Sequence, residues 1–152
     1  GEDIMSGQSY GAPVTLEHML EAFGFLDDWE DRYRFILDLG QKLPEMPESE
    51  KTEANFVHGC QSQVWVALHE TDGPGSPVAF LADSDAFIVK GLAAMVVTML
   101  AGRPAAEIVS HDIESAFNQL GLHEHLSPTR SNGLHGMVEQ VKRKAVELAG
   151  AG

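Results

Sequence analysis

The chain has 152 residues, of which 43% are hydrophobic and 22% are charged. This composition is typical of one soluble, globular domain with its own hydrophobic core. The 23 acidic and 10 basic residues give a formal net charge of −13, so nucleic-acid backbones and anionic lipid surfaces would repel the protein. We therefore expect no nucleic-acid partner and no function at a membrane surface.

A single cysteine, Cys60, excludes any disulfide within the chain, so folding needs no oxidising compartment. The first residues contain no basic stretch followed by an apolar one, which predicts no signal peptide. The longest apolar run, residues 86–101, is interrupted by Lys90 and is too short to cross a bilayer comfortably. These features predict a cytoplasmic protein.

The first part of the sequence predicts two helices. We expect residues 1–14 to form a flexible segment, and residues 15–150 to form one domain. Thr15 can cap the first helix, and the second is expected to run from Asp27 or Asp28 to Pro44. Each helix has an apolar stripe at helical spacing, formed by Leu16, Met19, Leu20 and Phe23 in the first and by Trp29, Tyr33, Ile36 and Leu37 in the second.

The middle of the sequence predicts a hairpin followed by a buried helix. Strands are expected over residues 64–70 and 78–83, joined by the turn sequence TDGPGSP. Asp83, Ser84 and Asp85 offer caps for a helix over residues 86–102, which is apolar on most sides.

The last third predicts helices only. Short helices are expected after Pro104 and up to Gly121, and residues 123–133 are expected to form a polar loop. A final helix follows, with a stripe formed by Leu134, Met137, Val138, Val141, Ala145 and Leu148. The order of elements predicts an α+β sandwich, in which helices cover one side of a small antiparallel sheet.

The histidines and the cysteine do not follow the spacing of a metal site. Structural zinc sites favour several cysteines, and catalytic ones often use a helical His-Glu-x-x-His; neither is present. We therefore interpret His123 and His125 as surface residues and predict no metal ligand. One thiolate cannot hold an iron–sulfur cluster alone. Cys60 also lacks a neighbouring cysteine for thiol–disulfide exchange.

The residues alone leave three interpretations of Cys60 open. It could be the nucleophile of a cysteine hydrolase, together with a distant histidine; His58 is near in sequence, but that does not guarantee contact. It could be a buried small hydrophobic residue, as free cysteines often are. It could also be a reactive thiol, since it lies in the polar loop GCQSQ (residues 59–63) rather than in an apolar stripe.

Four sequence blocks, in the same order, resemble the SufE family of cysteine desulfuration proteins. The similarity extends from Trp29 to about Leu148. The blocks are GCQSQVW (59–65), WEDRYRFILDLGQKLP (29–44), DSDAFIVKGL (83–92) and LSPTRSNGL (126–134). His58 and Ala82 depart from the family's pattern.

The resemblance implies a sulfur carrier. In the SufE family, the loop cysteine that matches Cys60 takes sulfur from the persulfide of a pyridoxal-phosphate-dependent cysteine desulfurase of the SufS or CsdA type. A SufE-family protein also stimulates that enzyme and delivers sulfur to the iron–sulfur assembly machinery and its scaffold complex. Pyridoxal phosphate belongs to the desulfurase, so no cofactor is expected on this chain. The family's fold is an α+β sandwich shared with IscU-type scaffolds.

Seven further residues match family positions around the sulfur site. Gly59 would leave room for the partner's backbone and permit a positive φ. Arg130 would stabilise a thiolate or persulfide anion. The polar residues Gln61, Ser62 and Gln63 would hydrogen-bond the loop or the partner, and Asp83 and Asp85 match an acidic pair that helix capping would also explain.

Overall fold

The computed structural model describes residues 9–151, with side chains up to residue 150. Residues 1–8 lie outside the described part, so most of the segment that we predicted to be flexible is not tested. The elements follow in the order α1 (Leu16–Phe25), α2 (Trp29–Gln41), β1 (Val64–Glu70), β2 (Val78–Ser84), α3 (Phe87–Leu100), α4 (Ala105–Ser110), α5 (Ile113–Gln119), α6 (Leu122–His125) and α7 (Pro128–Ala151). Short 3₁₀ turns at Glu48–Glu50 and Glu53–Asn55 lie between α2 and β1.

The predicted N-terminal caps of the first two helices are present. The Thr15 hydroxyl accepts the N–H of His18 at 3.1 Å, and the Asp28 carboxylate accepts the N–H of Glu30 at 3.0 Å. The predicted end of α2 at Pro44 is wrong, because the helix ends at Gln41. A residue that precedes proline is disfavoured in the helical conformation, so the chain leaves the helix before Pro44.

Helices α2 and α3 cross at backbone contact. A Cβ atom added to Gly91 of α3 would lie 2.3 Å from the carbonyl oxygen of Ile36, and one added to Gly40 of α2 would lie 2.7 Å from the Gly91 nitrogen. The predicted stripe of α2 is therefore only partly right. Ile36 is buried, but Leu39 and Gly40 share the buried face, while the aromatic rings of that stripe are half-exposed.

The strands form a two-stranded antiparallel sheet in the described residues, in which Val64 pairs with Ser84 and Glu70 pairs with Val78. Both outer edges carry further chain segments. Phe56 forms an isolated bridge with Trp65 on the β1 edge. On the β2 edge, the N–H of Phe80 donates to the Tyr10 carbonyl at 2.9 Å.

Helices α3 and α7 pack against this sheet, and their apolar faces supply much of the core. Every residue of α3 from Gly91 to Leu100 is buried, so the prediction of a helix that is buried on most sides is confirmed. On α7, the residues of the predicted stripe up to Ala145 are buried and Leu148 is half-buried. The α+β class with a small antiparallel sheet is confirmed.

The predicted polar loop over residues 123–133 is wrong. Residues up to His125 belong to α6, and α7 begins at Pro128. The Ser127 hydroxyl accepts the N–H of Arg130 at 3.3 Å, and its carbonyl accepts the N–H of Ser131 at 2.8 Å. Serine before the helix and proline at its first position form a strong start signal, which outweighs the polarity of the segment.

Candidate functional site

Cys60 lies in a short loop that is closed at its base. The N–H of Val57 donates to the Val64 carbonyl at 2.8 Å, which ties the two ends of the loop together. Gly59 has a φ of +90°, a conformation that residues with a side chain rarely adopt. The sequence therefore places glycine where the turn needs it, directly before the cysteine.

The thiol faces the start of helix α7. The Cys60 Sγ atom is half-buried and lies 3.8 Å from the carbonyl oxygen of Gly133, within reach of a weak S–H···O hydrogen bond. Burial raises the pKa of the Cys60 thiol above its ordinary value. The resting sulfur is therefore held mainly as a neutral thiol at neutral pH.

A cavity of about 160 Å³ opens beside this sulfur. Its wall combines loop residues, the start of α3 and the first turns of α7. The lining residues are Cys60, Gln61, Ser62, Ala86, Ile88, Val89, Thr129, Arg130 and Gly133. Most of this wall is apolar, and Arg130 is the cation among the lining residues.

A wider groove of about 470 Å³ adjoins the cavity and shares Ala86, Ile88 and Arg130 with it. Phe87, at the first position of α3, lines the groove and is 70% exposed. Arg130 therefore borders two recesses that meet next to the thiol. The structure thus brings Cys60, Gln61, Ser62 and Arg130 together around one cavity.

Asp83 and Asp85 do not cap α3, contrary to one of our two interpretations. The helix begins at Phe87, and its N-cap residue is Ala86. Asp83 instead forms ion pairs with Lys51 at 2.9 Å and with Lys90 at 3.4 Å, contacts that contribute to lowering the pKa of its carboxyl group. The strand continues to Ser84 and pairs Asp83 with Trp65, so Asp83 belongs to β2 rather than to the helix cap.

Asp85 connects the loop to the sheet. Its carboxylate accepts the N–H of Gln63 at 3.0 Å, and its own N–H donates to the Gln63 carbonyl at 3.2 Å. These two bonds fix the point at which the thiol loop enters β1. Gln63 is therefore held through its backbone and does not line the cavity, whereas Gln61 and Ser62 do.

The hydrolase interpretation gains no support from the geometry. The His58 imidazole lies 2.8 Å from the carboxylate of Glu53 and packs edge-on against Phe56. Among residues 9–151, no histidine is hydrogen-bonded to the Cys60 sulfur. A thiol–imidazole pair of the kind that activates a cysteine nucleophile is thus not assembled in the described chain.

His123 and His125 lie outside any metal cluster. His125 stacks on Trp29 with ring centroids 4.0 Å apart, and its Nδ1 lies 2.9 Å from the Gly121 carbonyl oxygen. His123 lies 3.4 Å from the Ser131 hydroxyl. In the part of the chain that the structure describes, no three His, Cys, Asp or Glu side chains are placed to hold a metal ion.

Sequence reasoning missed the glycines that face the thiol, Gly133 and Gly136. A Cβ atom added to them would lie 3.7 Å and 4.0 Å from the Cys60 Sγ atom, respectively. Two glycines three positions apart inside a helix were a usable signal, since glycine is unfavourable there.

None of the helices in residues 9–151 combines the length and apolar character that a membrane crossing requires. The SufE family model, described as an Fe-S metabolism associated domain, matches residues 17–145. An uncharacterized SufE-like protein of Rhizobium etli is 46% identical over 139 residues, which cover 91% of this chain and 94% of the relative. Another SufE-like protein, from Rhizobium meliloti, is 46% identical over 133 residues, which cover 87% of this chain and 95% of the relative.

Proposed function

Because this chain belongs to the SufE family, we propose that it is a sulfur acceptor and carrier for iron–sulfur cluster assembly. The single observation that carries the proposal is the placement of Cys60, half-buried in the GCQSQ loop at the edge of a small, largely apolar cavity. The donor we propose is a cysteine desulfurase of the SufS or CsdA type, whose pyridoxal phosphate stays on that enzyme. We propose the cytoplasm as the compartment, because the reaction requires a reduced thiol.

The transfer step is a thiolate attack on a persulfide. Cys60 loses its proton, and its Sγ attacks the terminal sulfur of the donor's cysteine persulfide. A new S–S bond forms on Cys60 while the donor's S–S bond breaks, and the donor cysteine leaves as a thiolate that takes up a proton. The sulfane sulfur only changes its carrier, so the step consumes no oxidant or reductant. A second transfer of the same kind delivers the sulfur to the assembly machinery.

A single thiol suits this chemistry. A second cysteine near Cys60 would attack the loaded persulfide and form a disulfide, which would release the sulfur too early. The 152 residues contain no second cysteine. The carrier can therefore hold its sulfur until another protein supplies the next thiol.

The resting thiol needs activation before it can attack. Burial raises the pKa of Cys60, and only the thiolate is nucleophilic. Arg130 borders the cavity and is exposed, so movement of the loop or of this side chain would bring a cation to the sulfur. We therefore assign to Arg130 the stabilisation of the thiolate or persulfide anion, and to the docked desulfurase the opening of the loop.

Mass spectrometry after incubation with a desulfurase and free cysteine tests the proposal. We expect the peptide that contains Cys60 to gain the mass of one sulfur atom, and the gain to disappear on treatment with dithiothreitol. A desulfurase whose own active-site cysteine is replaced by serine serves as the control and should transfer nothing. If no SufS-type or CsdA-type enzyme loads Cys60 or is stimulated by this protein, the proposal is wrong.

A further inference from the structure

Gly133 occupies a position in α7 where the backbone does not require glycine. It lies inside a regular helix, with no positive φ of the kind found at Gly59. Alanine is the better helix former at such a position, and glycine there destabilises a helix. The reason for glycine at this position must therefore come from what its missing side chain would meet.

A side chain at position 133 would have one neighbouring atom outside its own helix, the sulfur of Cys60. A Cβ added to Gly133 would lie 3.7 Å from the Cys60 Sγ and would meet no other heavy atom of the described residues within 4 Å, apart from its chain neighbours and its own helix. That distance is an ordinary van der Waals contact. An alanine would thus fit against the bare thiol, and packing of the resting protein does not explain the glycine either.

Gly136, one turn further along α7, has different neighbours. A Cβ at this position would lie 3.7 Å from the Val57 Cγ1 atom and 3.8 Å from the His58 carbonyl oxygen, as well as 4.0 Å from the sulfur. A methyl group at position 136 would therefore pack against the start of the thiol loop at ordinary van der Waals distances. Of the two glycines, only Gly133 has nothing but the sulfur beside it.

We propose that Gly133 is a positioning residue for sulfur transfer, and that its missing side chain leaves room for the second sulfur atom on Cys60. The inference rests on the proposed function. An S–S bond of about 2.05 Å extends across more than half of the 3.7 Å gap between the Cys60 Sγ and a Cβ at position 133. A methyl group at position 133 would therefore be compatible with the thiol and would crowd the persulfide.

Crowding changes where the loaded sulfur resides. With glycine at position 133, the second sulfur fits between α7 and the apolar wall of Ile88 and Val89, shielded from reducing thiols. With alanine, the persulfide must turn away from the helix toward the cavity mouth. The unloaded thiol would be unaffected by the alanine. A shorter persulfide lifetime in this variant would therefore reflect poorer storage of the second sulfur, and neither a folding defect nor loss of the cysteine.

The test compares Gly133→Ala with the wild type and with Gly150→Ala. The control lies in the same helix, and a Cβ at position 150 meets no heavy atom within 4 Å. Each protein is loaded on Cys60 with a desulfurase and cysteine or, in a second arm, with inorganic polysulfide. Mass spectrometry then follows the loss of the added sulfur to dithiothreitol, and iodoacetamide labelling of the unloaded thiol and the melting temperature are measured alongside.

We expect the persulfide of Gly133→Ala to decay roughly tenfold faster than that of the wild type, because thiol–disulfide exchange depends on access to the sulfur that is attacked. Its melting temperature should equal or exceed that of the wild type, its thiol should be labelled at the same rate, and Gly150→Ala should match the wild type throughout. Equal persulfide lifetimes in Gly133→Ala and the wild type would overturn the inference and leave the proposed function intact. A wild-type protein that no desulfurase loads would overturn both.

Discussion

At the scale of single residues, Cys60 is held in surroundings that protect its sulfur and also lower its reactivity. The apolar wall of the cavity and the Gly133 carbonyl favour the neutral thiol, and the pKa is raised by burial. In the proposed carrier, Arg130 on the rim of the same cavity would favour the anion on approaching the sulfur. The balance between the two states therefore depends on whether the loop leaves its resting position.

The raised pKa of Cys60 gives a pH dependence. Only the thiolate reacts with iodoacetamide, so the labelling rate of the folded protein should rise with pH around a midpoint above that of a free cysteine. The same protein unfolded in denaturant should show the ordinary midpoint, since burial is then lost. Because the folded pKa is the higher one, this group's contribution to stability is present below the unfolded pKa and disappears as the pH rises through the folded pKa.

Cys60→Ser removes the only thiol and should abolish both sulfur acceptance and stimulation of the desulfurase. Serine is nearly isosteric, and the site is half-buried, so the free energy of unfolding should change by less than about 1 kcal/mol. Desulfurase assays and thermal melts measure the two effects. Undiminished stimulation by the serine variant would remove the carrier interpretation, and loss of folding would indicate that Cys60 is mainly a packing residue.

Arg130→Ala tests the cation at the cavity rim. The side chain is exposed, so the substitution should lower stability by less than about 1 kcal/mol, while stimulation of the desulfurase should fall. Lys42→Ala, at an exposed position just after α2, removes a positive charge away from the cavity lining and serves as the matched control. Equal losses in the two variants would assign the effect to net charge rather than to the sulfur site.

At the scale of elements, the site depends on how closely two pairs of segments approach each other. The thiol loop approaches α7 to within van der Waals contact of a Cβ at position 136, whereas α3 approaches α2 at backbone contact because of Gly40 and Gly91. Helix α3 carries Ala86 at its N-cap and Ile88 and Val89 in its first turn, so the α2–α3 contact also fixes the apolar wall of the cavity.

Gly91→Ala should be strongly destabilising. The new Cβ would lie 2.3 Å from the Ile36 carbonyl oxygen and 2.6 Å from its Cγ2 atom, so the two helices would have to move apart. We expect a loss of roughly 1–3 kcal/mol or more in the free energy of unfolding, as for overpacked cores. Gly24→Ala in α1, where a Cβ meets no heavy atom within 4 Å, should be neutral or stabilising by up to about 1 kcal/mol. Chemical denaturation of both variants measures the difference.

The sequence predicted the elements of this fold better than the contacts between them. Hydrophobic periodicity identified the buried faces of α3 and α7 and the two strands, because burial acts directly on residue type. The glycines at the α2–α3 crossing and beside Cys60 could not be interpreted in this way, since a glycine's effect depends on a neighbour that is distant in sequence. The start of α7 at Pro128 was missed although the signal was local, because the polarity of residues 123–133 was given more weight than the serine–proline start.

In the candidate site, too, local features were predictable from the sequence and contacts between distant segments were not. Cys60 and its loop were recognisable from seven consecutive residues, and Gly59 has the positive φ for which glycine is suited. The apolar wall of the cavity comes from α3, and α3 and the thiol loop meet only in the folded chain. A helix cap was one of two interpretations of Asp85, because this residue precedes a helix, yet its carboxylate accepts a hydrogen bond from the backbone of Gln63.

At the scale of the whole molecule, the proposed carrier has to alternate between storing and delivering sulfur. We predict that the GCQSQ loop is shielded at rest and swings outward when the desulfurase docks, with Gly59 as the hinge. A Cβ atom added to Gly59 would meet no heavy atom within 4 Å apart from its chain neighbours, so the chain has open space on this side of the proposed hinge.

Labelling kinetics test this movement. Iodoacetamide should react slowly with the free protein and faster when a desulfurase with a serine in place of its active-site cysteine is added, because such an enzyme docks without transferring sulfur. Bovine serum albumin with its thiol blocked controls for non-specific effects of added protein. Rapid labelling that the desulfurase leaves unchanged would mean that the loop is already open, and the gating prediction would then be wrong.

The covered edges of the sheet affect how this protein meets other chains. A two-stranded sheet ordinarily offers unpaired backbone groups on both sides, and these are templates for strand addition and aggregation. Here the Tyr10 carbonyl already accepts the Phe80 N–H, and Phe56 occupies the β1 edge opposite Trp65. Tyr10 adopts a φ of 53° to make this contact, and the following residue is Gly11, whose Cβ would lie 2.1 Å from the Phe80 carbonyl oxygen. An incoming strand would first have to displace these segments. We therefore expect partner proteins to recognise this molecule through its side chains and its thiol loop, and we do not expect two copies to join into an extended sheet.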